Sequence, residues 1–226
     1  MWKNPRPTEG SHYSPTTIEK VANFVTHLPW VPLSACFANS LFSKATNPTQ
    51  FLVACIYGVS LVSMFGASTT FHCCTLLTSK SRYYNLLHYL DRTVIFVFIA
   101  ASYTPWLLLR EFKTDIGILM LKVVWTTALC GAVYQLFFRE KWKLLSLSLY
   151  LAVGILPAIS VVYMVDSTGL HKVGAGGLVY ILGAVFFKMD GVIPMAHAIW
   201  HCFVALAAYI HFLAIDRFLF LETSPP

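Results

Sequence analysis

Long apolar runs recur along nearly the whole chain, and they constrain its fold more than any other feature. A helix that crosses a lipid bilayer needs about 20 mostly apolar residues. Seven runs of roughly this kind cover residues 20–42, 50–77, 86–109, 115–138, 144–165, 173–187 and 192–220. Only 12% of the residues are charged, whereas soluble proteins carry about 25%. The sequence therefore predicts an all-α membrane protein built as a seven-transmembrane helix bundle.

The seven runs form one domain, because neither an internal repeat nor a long linker divides them. Residues 1–19 are predicted to be an amino-terminal tail, residues 20–220 the seven-span domain, and residues 221–226 a carboxy-terminal tail. The six cysteines lie within the apolar runs without the spacing of a disulfide framework, so we expect buried free thiols. The net charge of +6 is spread over short loops, which indicates contact with lipid headgroups and excludes nucleic acid as a partner.

Basic residues also predict the orientation of the bundle. Seven spans place the two termini on opposite sides of the membrane. Of the 16 Lys and Arg residues, ten fall on the side of the amino terminus and six on the other side. Because Lys and Arg accumulate in cytoplasmic loops, the amino terminus is predicted to be cytosolic.

Four ionisable side chains fall at one depth in this arrangement. His72 lies near the cytosolic end of the second span, and Asp91 lies in the first turns of the third. His197 and His201 lie near the cytosolic end of the seventh span, four residues apart, so that a helix places both imidazoles on one face. Ionisable groups inside an apolar span are costly and indicate a site. Three imidazoles beside a carboxylate are typical of a zinc site with an open position for water.

The residues alone leave other interpretations open. The three histidines could pack between helices through hydrogen bonds, and Asp91 could form an ion pair with Arg92. The hydroxyl of Ser68, one turn before His72, could bond its own helix or help to hold the metal's water. His27 is expected to lie beside the site or at a helix interface without binding the metal.

Short motifs in four spans support the zinc interpretation. They comprise Glu19, Asn23, Thr26 and His27; Ser68 and His72; His88, Asp91 and Arg92; and Pro194, Ala196, His197, Trp200 and His201. Together they resemble the progestin and adipoQ receptor family, which includes the bacterial hemolysin III-like proteins. Residues 99–106 and 186–191 are similar, more narrowly, to its monocyte to macrophage differentiation factor subgroup. The resemblance implies an adiponectin-receptor-like fold with a cytosolic amino terminus.

The resemblance also implies a site and an activity. One Zn²⁺ would be held by His72, His197 and His201, with Asp91 binding the metal's water; Ser68 is the second candidate catalytic residue, from its position one turn before His72. The wider superfamily includes alkaline ceramidases, so zinc-dependent hydrolysis of a lipid amide is expected, with a sphingolipid or acyl lipid as substrate. The alternative is a non-enzymatic membrane receptor or scaffold for signalling or lipid-modifying proteins, with a structural zinc. The subgroup implies a Golgi or endolysosomal membrane rather than the plasma membrane.

A pore is disfavoured, because the spans carry too few charges to line a polar path.

Overall fold

The computed structural model describes residues 3–6, 14–78, 82–138 and 143–221, whose regular elements are all helices. They are α1 (Thr17–His27), α2 (Trp30–Lys44), α3 (Pro48–Leu77), α4 (Tyr84–Leu109), α5 (Ile116–Phe138), α6 (Lys143–Ile155), α7 (Leu170–Lys188) and α8 (Ala196–Ile215). A 3-10 segment, Leu156–Tyr163, continues α6, and a π-helical turn, Asp216–Leu221, continues α8. Much of the predicted amino-terminal tail, residues 1–2 and 7–13, and residues 222–226 of the predicted carboxy-terminal tail lie outside the described residues.

Six helices of the described chain are long and apolar enough to cross a membrane. They are α3, α4, α5, α6 with its 3-10 continuation, α7, and α8 with its π-helical turn. Many large apolar side chains on their outer faces are exposed, which suits contact with lipid. The prediction of an all-helical multi-pass membrane protein is confirmed. Three of the basic residues used to predict its orientation, Lys80, Arg139 and Lys141, lie outside the described residues.

The predicted first span is divided into two helices. Helix α1 ends at His27, and α2 begins at Trp30, directly after Pro29. Proline has no N–H to donate and its ring clashes with the preceding helical turn, so a continuous helix is broken at this position. Each half is shorter than the length that crosses a bilayer.

The beginning of α1 is fixed by a capping box. The carboxylate of Glu19 accepts hydrogen bonds from the N–H (2.8 Å) and hydroxyl (3.0 Å) of Thr16, whose hydroxyl oxygen accepts from the N–H of Glu19. The N–H of Asn4 also reaches this carboxylate, at 3.4 Å. Glu19 is consequently buried, and α1 is held against both α3 and α8.

Helix α8 begins later than the predicted seventh span, which starts at residue 192. Residues 189–195 form turns, in which Gly191 and Met195 both have positive φ angles, of 76° and 60°. A positive φ interrupts a right-handed helix, and Gly191 adopts it without a side-chain penalty. The turn places Asp190 beside the first turn of α8.

The cysteines are free thiols, as predicted, but the expectation that they are buried is wrong. Cys36, Cys130 and Cys202 are exposed, and the other three are partly exposed. Their apolar surroundings are the lipid-facing surface of the bundle, which sequence alone does not separate from its interior.

Candidate metal centre

Three histidines from two helices meet inside the bundle. His72 comes from the last two turns of α3, and His197 and His201 come from the first two turns of α8. One ring nitrogen from each lies within 4.8 Å of those of the others, and all three side chains are buried. The ring centroid of His201 lies 4.8 Å from that of His72 and 4.7 Å from that of His197. The three residues could hold one metal ion.

Helix α1 sets the tautomer of His201. Its Nδ1 lies 3.1 Å from the backbone carbonyl oxygen of Asn23 and 3.1 Å from the hydroxyl of Thr26. A carbonyl oxygen only accepts, so Nδ1 carries the proton and donates to Asn23. The lone pair of Nε2 is then available to a metal. The ring of His27 stacks on His201 at 3.9 Å, which helps to fix its plane.

A carboxylate lies at ion-pair distance from the ring of His197. Oδ2 of Asp190 lies 3.4 Å from Nδ1 of His197, and the Asp190 side chain is only 14% exposed. A carboxylate beside Nδ1 favours the tautomer that carries the proton there, and it leaves Nε2 as the ligand atom. Carboxylate, imidazole and metal in this order are common around metal ions in proteins.

His72 gives the clearest test of whether a metal fits. Its Nε2 is buried and makes no hydrogen bond within the part of the chain that the structure describes. A buried nitrogen without a partner is unfavourable, and most buried polar side-chain atoms are satisfied. A cation bound at this nitrogen and at its two neighbours would satisfy it. Neutral imidazole nitrogens are ligands for zinc and for several other transition metals, so the donor set fits.

The other predicted site residues line the cavity that borders the histidines. Ser68 is buried one turn before His72 on α3, and Asp91 is partly buried near the start of α4. His88, which stacks with Tyr84 at 5.8 Å, lines the same space without joining the three histidines. The roles of Ser68 and Asp91 in catalysis stay predictions.

The cavity itself is large and mostly apolar. It encloses about 910 Å³, which is within the range of small-molecule sites. At the end of the metal centre its wall includes Lys20 and Arg92, and at the other end Trp106 and His211. A cavity of this volume, lined from the three histidines to Trp106 and His211, can accept a long apolar molecule whose polar group lies against the histidines.

Comparison with known proteins assigns this chain to a family. A family model described as "Haemolysin-III related" matches residues 16–212. The chain belongs to the haemolysin-III-related family. It is 40% identical to human monocyte to macrophage differentiation factor over 219 residues, which cover 96% of this chain and 91% of the relative. It is 35% identical to the hemolysin-3 homolog of Bacillus subtilis, over 84% of this chain and 89% of the relative. The family predicted from the four motifs is therefore confirmed.

Two features of this haemolysin-III-related chain were missed by sequence reasoning. Asp190 lies seven residues before His197, in the turn that precedes α8 and not on the helix itself, so the turn at Gly191 brings its carboxylate to the imidazole. The carbonyl of Asn23 acts through the backbone, which residue identity does not reveal. Two signals were available: a carboxylate follows an apolar span and precedes a two-histidine motif, and Asp190 falls within residues 186–191, which resemble the subgroup.

Proposed function

We propose that this protein is a zinc-dependent hydrolase of lipid amides or esters, with seven spans and a cytosolic amino terminus. The observation that carries the proposal is the opening of three buried imidazoles onto a cavity of about 910 Å³ that Asp91 also lines. Structural zinc sites are usually closed by four protein ligands, whereas catalytic sites offer three and an open position. Three candidate ligands beside a large apolar cavity suit the second kind.

The topology in this proposal counts α1 and α2 together as the first span, broken at Pro29. With the six longer helices this makes seven. The excess of basic residues on the side of the amino terminus supports a cytosolic location for that end. The metal centre then lies near the cytosolic leaflet.

The chain's own residues have distinct parts in the proposed reaction. When bound, zinc supplies Lewis acidity, polarising a carbonyl and lowering the pKa of a bound water toward about 7. Asp91 serves as the general base that takes a proton from the attacking water, and the Ser68 hydroxyl orients that water by a hydrogen bond. The apolar wall of the cavity binds an acyl or sphingoid chain and excludes bulk water. Asn23 and Asp190 hold His201 and His197 in the tautomers that leave Nε2 available.

A second function is favoured by the way the histidines join the bundle. His72 lies on α3, whereas His197 and His201 lie on α8, and α1 packs against both helices. A metal there would fasten the two helices, as a structural zinc does. In this alternative the protein is a receptor or scaffold for signalling or lipid-modifying proteins. For either function we propose a Golgi or endolysosomal location, which fluorescence microscopy of a tagged chain tests.

The ligand set is tested by metal analysis of purified protein. Wild-type protein should contain one zinc per chain, and His197→Ala should lose it. His171, which is exposed and lies outside the three-histidine group, provides the matched control: His171→Ala should keep the metal. Stoichiometric zinc in folded His197→Ala protein would contradict the ligand assignment.

The reaction is tested by release of fatty acid or sphingoid base from a panel of lipids that includes ceramide. Wild-type protein should release product, and Asp91→Asn should retain zinc but lose turnover by about 100-fold or more, as expected for a general base. If folded, zinc-loaded wild-type protein releases no product from any lipid of the panel, the hydrolase is refuted and the receptor or scaffold remains.

A further inference from the structure

A second group of buried polar atoms lies at the end of the cavity away from the metal centre. The hydroxyl of Tyr180, the indole N–H of Trp106 and Nδ1 of His211 are all buried, and none has a hydrogen-bond partner among the described residues. All three residues line the cavity. Buried polar atoms without partners are uncommon, and three at one end of a cavity call for a ligand.

These atoms are well separated from the metal centre. His211 lies ten residues beyond His201 on α8, which corresponds to about 15 Å along a helix. The ring of Tyr180, on α7, lies 5.7 Å from that of His211. Trp106 comes from the last turn of α4, whose first turns carry Asp91. Tyr180 and His211 are therefore neighbours, and Trp106 lines the same cavity from the end of α4 that lies away from Asp91.

The position of His211 depends on a glycine. A Cβ atom at Gly176 of α7 would lie 2.6 Å from Cδ2 of His211 and 2.7 Å from its Nε2. Atoms do not approach this closely, so only glycine lets the imidazole lie against α7. The His211 side chain is 8% exposed. The imidazole is therefore held in place at the cavity wall and does not swing through open space.

Charge selects the kind of group that this end can bind. Among the described residues that line the cavity, the Asp, Glu, Lys and Arg side chains are Lys20, Asp91 and Arg92, all at the end of the metal centre. The far end offers an indole N–H donor, a phenol hydroxyl and an imidazole. A hydroxyl or carbonyl group can bond to these without bringing an uncompensated charge into an apolar interior.

We propose that Tyr180, Trp106 and His211 form a subsite for a neutral polar group in the tail of a lipid. The ligand class is a long-chain lipid that carries a hydroxyl or carbonyl group about 15 Å from the group at the three histidines. The subsite is inferred from the buried polar atoms of these three residues and does not depend on the proposed hydrolase. Only the identification of such a lipid as the substrate rests on the proposed hydrolase.

The test compares two probes that differ in one hydroxyl group, lauric acid and ω-hydroxylauric acid. Each displaces a fluorescent fatty acid from the full-length protein in lipid nanodiscs. Wild-type protein should bind the hydroxylated probe about tenfold more tightly, the gain expected when one or two buried hydrogen bonds form. Tyr180→Phe keeps the ring and removes the hydroxyl, and it should bring the two affinities to within about twofold of each other. Tyr209→Phe is the control, because Tyr209 is exposed on α8 and does not line the cavity.

A second variant, His211→Leu, should also abolish the preference for the hydroxylated probe. It keeps the test decisive if Tyr180→Phe does not fold. Circular dichroism and zinc content establish that each variant is folded. Equal binding of the two probes by wild-type protein would overturn the subsite, and so would a preference that survives in both folded variants. The same comparison in His197→Ala separates the two proposals: a preference retained without zinc supports the subsite even where the hydrolase fails.

Discussion

The carboxylate of Asp190 should set the zinc affinity of this chain through His197, and Asp190→Asn tests this directly. Asparagine has nearly the same shape as aspartate, so the turn before α8 should persist. The Asn amide can present its NH₂ group to Nδ1 of His197 and favour the tautomer that carries the proton on Nε2. That tautomer has no lone pair on the nitrogen that faces the other two histidines.

The size of the effect follows from the role of the carboxylate. Its Oδ2 atom lies 3.4 Å from Nδ1, and the side chain is 14% exposed, so solvent screens the interaction little. Replacing a partner of this kind lowers metal affinity about 10- to 100-fold, equivalent to about 1.4–2.8 kcal/mol. Since the three imidazoles remain, zinc should still bind with a stoichiometry of one.

The assay is a competition titration of purified protein against a chromophoric zinc chelator. Asp216→Asn is a matched control, because the Asp216 side chain is also 14% exposed but pairs with Lys44 at 2.5 Å, beyond the end of α8. It should lower the unfolding temperature without changing zinc affinity. If Asp190→Asn binds zinc as tightly as wild-type protein, the carboxylate does not orient His197, and the positioning role is refuted.

Two further predictions concern packing and charge elsewhere in the chain. A Cβ atom at Gly131 would lie 2.5 Å from the ring of Phe96, so Gly131→Ala should destabilise the fold by about 1–3 kcal/mol. A Cβ atom at Gly66 would have no atom of another described element within 4 Å, so Gly66→Ala should leave stability unchanged or raise it by about 0.5–1 kcal/mol; equal thermal unfolding of the two variants in detergent would contradict the packing. The hydrogen bonds from the hydroxyl and N–H of Thr168 hold the pKa of the Asp166 carboxyl below its usual 3.8, so Thr168→Val should raise that pKa. Because the folded pKa is lowered, this contribution to stability is present above the unfolded pKa and is lost as pH falls through the folded one; an NMR titration that finds the carboxyl unchanged would refute it.

Sequence predicted the long helices well, because the length of an apolar run reports directly on membrane crossing. It could not decide the state of residues 20–42. Proline is tolerated within many transmembrane helices, where neighbouring groups satisfy the backbone. Whether Pro29 bends a helix or divides it depends on the packing of α1 and α2, which one sequence does not contain.

The convergence of the histidines was predictable for a different reason. The position of a residue within a membrane span gives its depth once the direction of the span is known. His72 and His201 could therefore be placed at the same depth from span direction alone. Rotation of each helix about its axis could not be obtained in the same way. Cys202 shows this limit: it is next to His201 in sequence, yet it is exposed on the outer face of the bundle.

The two features that sequence did not reveal, the carbonyl of Asn23 and the carboxylate of Asp190, are both connected to the amino-terminal segment, residues 3–6. Residues 3–6 place the N–H of Asn4 on Glu19 and the backbone of Arg6 against Gly191, where a Cβ atom would lie only 2.4 Å from the Cα of Arg6. Glu19 fixes the start of α1, and α1 presents the carbonyl of Asn23 to His201. The turn at Gly191 presents Asp190 to His197. One short segment therefore contacts both structures that orient the candidate ligands of α8, so changes there should alter metal binding without touching any histidine.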